Sequence, residues 1–243
     1  MNITPLTHAA PDAAATSWQK RGLVAIVAAL AIIGIGVLVG SQLPDATTVD
    51  GHLSRWFVGR RTPTWNSISG FFSEMASTMV VVGIAAAVVL LEGIRRRWDA
   101  VRLLVAAMTG EVLIFLSITA LVDRPRPDVP HLDSAPPTSS FPSGHTLATF
   151  VLWTMIAVVA TVHMWPLVLR VLTRLLAVLM PVAVALSRVY RGMHHPTDVT
   201  ASVVIGVIWM IVVVSVFTPR PERQLSGTSL TETPNENWSN RNV

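Results

Sequence analysis

Long apolar runs separated by short polar segments dominate the chain. Six of these runs approach the length of about 20 residues that a helix needs to cross a bilayer core, and charged residues, proline or tryptophan bound each of them. The runs are residues 22–43, 75–91 (with a possible extension back through Phe71), 103–122, 146–165, 168–187 and 199–218. The pattern therefore predicts an all-α fold, an integral membrane bundle of six transmembrane helices.

The remaining segments are short or polar. Residues 1–19 and 219–243 contain few apolar side chains, which predicts two disordered cytoplasmic tails around a membrane domain over residues 20–218. Lys20 and Arg21 precede the first run as in a signal peptide, but the run is long and no convincing cleavage site follows, so we interpret it as a retained span. Residues 52–61 mix aromatic and basic side chains, which fits either a short helix on the outer interface or a plain loop.

The composition agrees with a membrane protein. The 243 residues are 51% hydrophobic and 13% charged, whereas about a quarter of the residues of a soluble domain are charged. The lack of cysteine excludes disulfides and zinc-thiolate sites. The pI is near 10.9, but the net charge is only +4 and the arginines stand between the apolar runs, so we predict no nucleic-acid partner.

The basic residues also predict an orientation. With the amino terminus inside, eleven Lys and Arg residues fall on the cytoplasmic side and seven on the outer side. Because cytoplasmic connections accumulate basic residues, we expect both termini to be cytoplasmic.

Three polar clusters then emerge together on the extracytoplasmic face. Residues 123–127 follow the third predicted span, residues 141–145 precede the fourth, and residues 187–198 join the fifth to the sixth. The planar fork of an arginine matches phosphate oxygens, and a helix that opens near residues 142–144 offers free backbone N–H groups to an anion. The clusters therefore predict a phosphate site.

Two histidines in these clusters add reactivity to binding. Imidazole can attack phosphorus or donate a proton near neutral pH. Asp198 stands four residues after His194, so its carboxylate can hold one ring nitrogen and leave the other free to attack, with His145 as the acid. This pair of roles is what cleavage of a phosphoester through a covalent intermediate requires.

These residues resemble the signature of the type 2 phosphatidic acid phosphatase superfamily, the lipid phosphate phosphatases, in its bacterial membrane branch. That signature is Lys, six residues and Arg-Pro; then Pro-Ser-Gly-His; then Ser-Arg, five residues, His, three residues and Asp. The chain carries Arg124-Pro125, then Pro142-Ser143-Gly144-His145, then Ser187-Arg188 with His194 and Asp198 at that spacing. Together with the helix pattern, the resemblance extends over about residues 20–218.

The resemblance implies a role for each matched residue. His194 is the nucleophile, Asp198 orients its ring, and His145 protonates the leaving oxygen and later activates water. The expected phosphate ligands are Arg124, Ser143, Gly144, Arg188 and Arg126. We expect no cofactor and no metal, because carboxylates are too sparse in the clusters for a magnesium site.

One position departs from the family signature. Ser117 stands in place of the lysine, with six residues between it and Arg124, and a serine supplies no charge. Arg126 or Arg191 is the expected substitute, and Ser117→Lys is expected to be tolerated if the position faces the phosphate.

Other polar residues allow more than one interpretation. Glu111 lies near the middle of the third run, where an ionisable group is a functional candidate, although we favour a structural contact with a neighbouring helix. His131 and Asp133 either touch a headgroup or, as we favour, are solvated in a loop. Gly34, Gly36 and Gly40 suit close helix packing, including packing between the subunits of a homodimer.

The leading hypothesis is a metal-independent phosphatase of the bacterial inner membrane that removes the terminal phosphate of a lipid phosphate or pyrophosphate. Within the family, the candidate substrates are phosphatidic acid, phosphatidylglycerol phosphate and a polyprenyl pyrophosphate such as undecaprenyl pyrophosphate. The expected partners are the lipid substrate and membrane lipids. Two alternatives are a phosphotransferase that hands the group to an alcohol and a non-catalytic protein that binds lipid phosphates.

Overall fold

A computed structural model of the chain describes residues 11–43 and 48–218. Within these two ranges all regular secondary structure is α-helical. The helices are α1 (Pro11–Gln42), α2 (Thr48–Val58), α3 (Pro63–Met75), α4 (Thr78–Ile94), α5 (Trp98–Leu121), α6 (Gly144–Val162), α7 (Leu167–Tyr190) and α8 (Pro196–Phe217). The all-α prediction is confirmed. Most of the two predicted tails, residues 1–10 and 219–243, lies outside the described residues.

The apolar runs correspond closely to the long helices. Among the described residues, five helices are long and apolar enough to cross a membrane, namely α1 from Gln19 onward, α5, α6, α7 and α8, and the bent pair α3 and α4 raises the number to six. The chain is a multi-pass membrane protein. α1 begins at Pro11, so residues 11–19 of the predicted amino-terminal tail are helical, in keeping with the helix-forming alanines at 13–15.

The second predicted span is broken. Instead of one helix running through Phe71, α3 ends at Met75 and α4 begins at Thr78, with a bend of 48° between them. Ser77 is the N-cap of α4, and its Oγ accepts a hydrogen bond from the amide of Val80 at 3.4 Å. The break directs the start of α4 and the end of α3 toward the same cavity, which is described below.

The aromatic and basic segment 52–61 is helical over most of its length, because α2 extends to Val58. Beyond α2, the Arg61 guanidinium donates to the carbonyl oxygens of Tyr190 at 2.9 Å and Pro130 at 2.7 Å. The junction between α2 and α3 is thereby tied to the end of α7.

The hydrophobic core surrounds α6. About 56% of the residues in the α6 span are buried, against 17% in α1 and α7, so α6 is the central helix of the bundle. Its apolar side chains pack against α5 and α8, and the Trp209 indole of α8 donates to the Ala107 carbonyl of α5 at 2.9 Å. A Cβ at Gly36 or Gly40 would come within 2.7 Å of Ile118 or Phe141, so these two glycines pack α1 within one chain.

Four helix ends meet on one side of the bundle. α5 ends there, α6 begins, α7 ends and α8 begins, and the long connection between α5 and α6 crosses them. We call this side the site end, since all three polar clusters of the sequence lie on it. The fold thus brings together residues of these clusters that are as many as 74 positions apart in the chain.

Candidate active site

A cavity of about 770 Å³ opens among the helices at the site end. Its walls come from α3, α4, α5, α6, α7 and the connection between α5 and α6. Side chains from all three predicted clusters line it: Arg126, His145, Arg188 and His194, together with Gly144. Residues from distant parts of the chain therefore surround one space.

The turn between α7 and α8 positions His194. Gly192 adopts φ of +77°, a conformation that favours glycine, and a Cβ there would lie 2.9 Å from Val129. Pro196 then starts α8, as proline does in the first turn of a helix. His194 is held in the short segment between these two residues and is 4% exposed.

The hydrogen bond of His194 defines its tautomer. Its Nδ1 lies 2.7 Å from the backbone carbonyl oxygen of Ser140, and a carbonyl oxygen can only accept, so the proton is on Nδ1. The lone pair is then on Nε2, which lies 3.5 Å from the Nη1 of Arg126. Burial lowers the pKa of His194, and the charges of Arg188 and Arg126 lower it further against the opposing effect of Asp198. The ring is therefore neutral near pH 7, as a nucleophile must be.

Arg126 and Arg188 supply positive charge to the cavity. Arg126 donates through Nη1 to the Met193 carbonyl at 2.7 Å, and Arg188 donates through Nη1 to Ser73 at 2.7 Å. The Nε of each is buried and has no hydrogen-bond partner among the residues that the structure describes. Two guanidinium groups that line one cavity are suited to an anionic ligand.

Asp133, for which the sequence favoured solvation, binds Arg188 and Arg191 instead. Its carboxylate accepts from Arg188 Nη1 at 2.9 Å and from Arg191 Nε at 2.8 Å. Burial raises the pKa of Asp133, but the hydrogen bond from Arg191 and the charge of Arg188 lower it by more, so the carboxyl is ionised. These contacts hold the α5–α6 connection beside the cavity. They also place a negative charge next to Arg188.

The expected role of Arg124 does not fit its position. Arg124 is 2% exposed and does not line the cavity. Its guanidinium binds the carboxylates of Asp198 and Asp50, the latter at 3.0 Å, and the Thr197 hydroxyl at 2.8 Å. A cation already enclosed by two carboxylates has little to offer a phosphate, so the geometry assigns Arg124 to the scaffold.

Asp198 departs from expectation in the same way. One of its carboxylate oxygens binds Arg124, and the other accepts from the amide of His195 at 2.8 Å, capping α8. The nearest approach to His194 is 3.8 Å, longer than a hydrogen bond, and the Ser140 carbonyl takes the place that the sequence assigned to Asp198. Asp198 influences His194 through its charge and through the fold of the turn.

Ser143 and Gly144, at the start of α6, have different surroundings. The Ser143 amide donates to the Ser202 hydroxyl at 2.8 Å, so the expected contact from this amide to a phosphate is not available. Gly144 lines the cavity, and a Cβ at this position would lie 2.8 Å from the ring of Phe115. Glycine is required here because α5 and α6 approach closely.

Ser117 stands at the position of the family's lysine but does not line the cavity, so it does not replace the lysine there. Of the two suggested substitutes, Arg126 lies at the cavity, whereas Arg191 is bound to Asp133 and to Asn66, whose carbonyl oxygen is 3.1 Å from its Nη1. The sequence contains a second Arg-Pro pair at Arg126, and Thr119 stands at the corresponding position, with six residues between the two. Whichever Arg-Pro pair is aligned with the signature, no lysine stands at the corresponding position. The second pair is the one whose arginine faces the cavity.

The deeper part of the cavity is apolar and reaches the outside of the bundle. Val82 of α4 and Val112 and Leu116 of α5 line it and are also 58%, 45% and 55% exposed. Side chains that border both the cavity and the bilayer mark an opening between α4 and α5. A hydrocarbon chain can lie across this opening without entering water.

In the described parts of the chain, no group of three or more His, Asp or Glu side chains is arranged to hold a metal ion. The polar chemistry of the cavity therefore consists of arginines, histidines, serines and separate carboxylates.

Two solved structures have similar folds. The first is the crystal structure of a transmembrane PAP2 type phosphatidylglycerolphosphate phosphatase from Bacillus subtilis, with 22% sequence identity and a TM-score of 0.62 over 82% of this chain and 94% of that one. The second is Aquifex aeolicus LpxE, with 23% identity and a TM-score of 0.57 over 72% of this chain and 99% of that one. No curated protein sequence matches the chain.

The family is shown by the sequence itself. The profile of the PAP2 superfamily matches residues 100–222, which is half of the chain and includes all three polar clusters. The resemblance drawn from the motifs is thereby confirmed. The chain belongs to the PAP2 superfamily.

Proposed function

We propose that the protein is a metal-independent membrane phosphatase that hydrolyses the terminal phosphate of a lipid phosphate or pyrophosphate through a phosphohistidine on His194. One observation carries the proposal: Arg126 and Arg188 share a cavity with His145 and His194. The opening of that cavity toward the bilayer between α4 and α5 adds the reason for a lipid substrate. The similar fold of a phosphatidylglycerolphosphate phosphatase supports the same class of reaction.

In the first step, the Nε2 lone pair of His194 attacks phosphorus and forms a nitrogen–phosphorus bond. The bond from phosphorus to the lipid oxygen breaks, and His145 gives its proton to that oxygen, so the lipid leaves as an alcohol. A bound phosphate favours the protonated form of His145, because its negative charge stabilises an imidazolium.

In the second step, water attacks the phosphohistidine while His145 takes up one of its protons. The nitrogen–phosphorus bond breaks, inorganic phosphate leaves and His194 recovers its lone pair. Arg126 and Arg188 hold the non-bridging oxygens in both steps, where they stabilise the charge that moves onto them. The Ser140 carbonyl keeps the ring of His194 in the reactive tautomer throughout.

We place the site at the extracytoplasmic face of a bacterial cell membrane, with both termini in the cytoplasm. The support is the distribution of Lys and Arg, eleven against seven, in favour of the end opposite the site. The substrate is then a lipid of the outer leaflet, and phosphatidic acid, phosphatidylglycerol phosphate and polyprenyl pyrophosphates are all candidates.

The test is phosphate release from a panel of these lipids by purified protein in detergent, with His194→Ala and His145→Ala as comparison variants. We expect release by the wild type and a loss of at least about 10³-fold in His194→Ala, because removal of the nucleophile removes the covalent path. Rapid quenching with ³²P-labelled lipid is expected to trap an acid-labile, alkali-stable phosphoprotein in the wild type only. Undiminished turnover by His194→Ala would refute the covalent mechanism.

A further inference from the structure

Glu111 is the most deeply placed polar residue on the wall of the cavity. It belongs to α5, is 2% exposed, and lies among Met108, Val112 and Phe115 of the same helix, which also line the cavity. Its Oε2 is buried and has no hydrogen-bond partner within residues 11–43 and 48–218. The contact with a neighbouring helix that the sequence favoured is therefore not formed.

The surroundings of Glu111 decide its protonation. The cavity-lining residues next to it on α5, Met108, Val112 and Phe115, are apolar, and so are Val81 and Val82 of α4. No ion pair involves Glu111 in the described part of the chain. An ionised carboxylate without a counter-charge is very costly in such a place, so Glu111 carries a proton and acts as a hydrogen-bond donor.

The depth of Glu111 below the phosphate level follows from helix geometry. The ring of Phe115 touches α6 at Gly144, the residue next to His145. Glu111 precedes Phe115 by four residues of an α-helix that rises toward the site end, so its Cα is roughly 6 Å deeper. The side chains of both residues incline toward the helix amino terminus, so the carboxyl group lies about as far below the ring of Phe115.

We propose that Glu111 forms a hydrogen-bonding subsite for a carbonyl oxygen of the lipid, below the phosphate that the histidines and arginines hold. In a diacylglycerol phosphate the ester carbonyl oxygens are six and seven bonds from phosphorus, a span of roughly 6 to 8 Å. This matches the separation between the level of His145 and the acid of Glu111. A polyprenyl phosphate has only hydrocarbon at that distance, so Glu111 favours acylglycerol phosphates over polyprenyl phosphates.

The inference rests on the proposed function, because it assumes that the phosphate of a lipid lies between His145 and His194. It adds to that function a residue that recognises the part of the lipid below the phosphate. In such a subsite, the substrate supplies the hydrogen-bond partner that the carboxyl group of Glu111 lacks in the described part of the chain.

The experiment compares two lipids that differ only in the carbonyl groups, dioleoyl phosphatidic acid and its dialkyl ether analogue. We expect wild-type protein to favour the diester by about tenfold in kcat/KM, the effect of one buried hydrogen bond. Glu111→Leu is expected to abolish this preference by losing activity on the diester alone, while Glu111→Gln retains part of it through its amide N–H. Met108→Leu, one turn away on the same wall, serves as the control and keeps the preference.

A structural role makes different predictions for the same variants. If Glu111 supports the fold, Glu111→Leu lowers the melting temperature and reduces turnover of both lipids equally, which would overturn the subsite. If it binds the lipid, the melting temperature stays the same or rises, because an unsatisfied buried polar group has been removed. An equal diester-to-ether ratio in wild type and Glu111→Leu would also overturn it.

Binding measurements separate this inference from the proposed function. If the wild type releases phosphate from no lipid, the proposed function fails, but the dissociation constants of the diester and the ether can still be compared by tryptophan fluorescence. A roughly tenfold preference for the diester that disappears in Glu111→Leu supports the subsite. Equal dissociation constants in both proteins overturn it.

Discussion

Arg124 and Arg126 are two positions apart in the chain, yet they serve different parts of the structure. Arg124 is enclosed by the carboxylates of Asp50 and Asp198, whereas Arg126 lines the cavity beside His194. Only one of the two guanidinium groups therefore reaches the cavity. Replacing each arginine is therefore expected to have a distinct effect.

Arg126→Ala is expected to lower kcat/KM on phosphatidic acid by about 10²-fold, the usual cost of removing one donor to transition-state charge. The melting temperature changes little, because the variant loses one hydrogen bond to the Met193 carbonyl and one long contact to His194 Nε2. Steady-state kinetics and thermal unfolding in detergent measure the two effects. Arg60→Ala, at an exposed position outside this cavity, controls for the loss of a positive charge. Wild-type kinetics in Arg126→Ala would remove this residue from the phosphate site.

Arg124→Ala is expected to act on stability first. It leaves two buried carboxylates facing each other without the cation between them, which costs about 3–5 kcal/mol. The measurements are the melting temperature and the denaturant midpoint, with Arg124→Lys as the conservative variant that keeps the charge. A normal melting temperature combined with weaker inhibition by inorganic phosphate would instead return Arg124 to the phosphate ligands.

The sequence predicted those parts of the fold and site that depend on local patterns. Apolar runs predicted the long helices because a bilayer imposes their length. The motifs predicted that His145, Arg188 and His194 share one site, and all three line one cavity. The break between α3 and α4 was missed, since Ser77 stands within a run that otherwise resembles one helix.

Contacts made across the fold could not be predicted. Asp50 and Asp133 come from segments without a motif, and only the packing of α2 and of the α5–α6 connection shows that they bind Arg124 and Arg188. The acceptor for His194 is the backbone oxygen of Ser140, and no side-chain pattern announces such a contact. Two adjacent Arg-Pro pairs also look equivalent in a sequence, and only the direction of the chain after α5 distinguishes them.

Acid is expected to destabilise the protein through its buried histidines. Burial lowers the pKa of His194 and of His195 in the folded protein, so between pH 6.5 and the lower folded values the unfolded chain binds more protons than the folded one. Stability is complete above pH 6.5 and falls as the pH falls. Melting temperatures measured from pH 7.5 to pH 5 check this, and His195→Asn is expected to reduce the slope, with His52→Asn at an exposed position as the control. A melting temperature that rises toward pH 5 would contradict the expected sign.

The proposed orientation can be tested directly because the chain has no cysteine, so a single introduced thiol is the only one available. Ala135 is exposed on the α5–α6 connection at the site end, and Met164 is exposed between α6 and α7 at the opposite end. With the site outside, a membrane-impermeant maleimide added to intact cells is expected to label Ala135→Cys and to leave Met164→Cys unlabelled until the membrane is opened. Neither substitution changes a charge, so the distribution of Lys and Arg that determines insertion is preserved. Labelling of Met164→Cys alone in intact cells would place the cavity on the cytoplasmic side, and the substrate would then be a lipid of the inner leaflet.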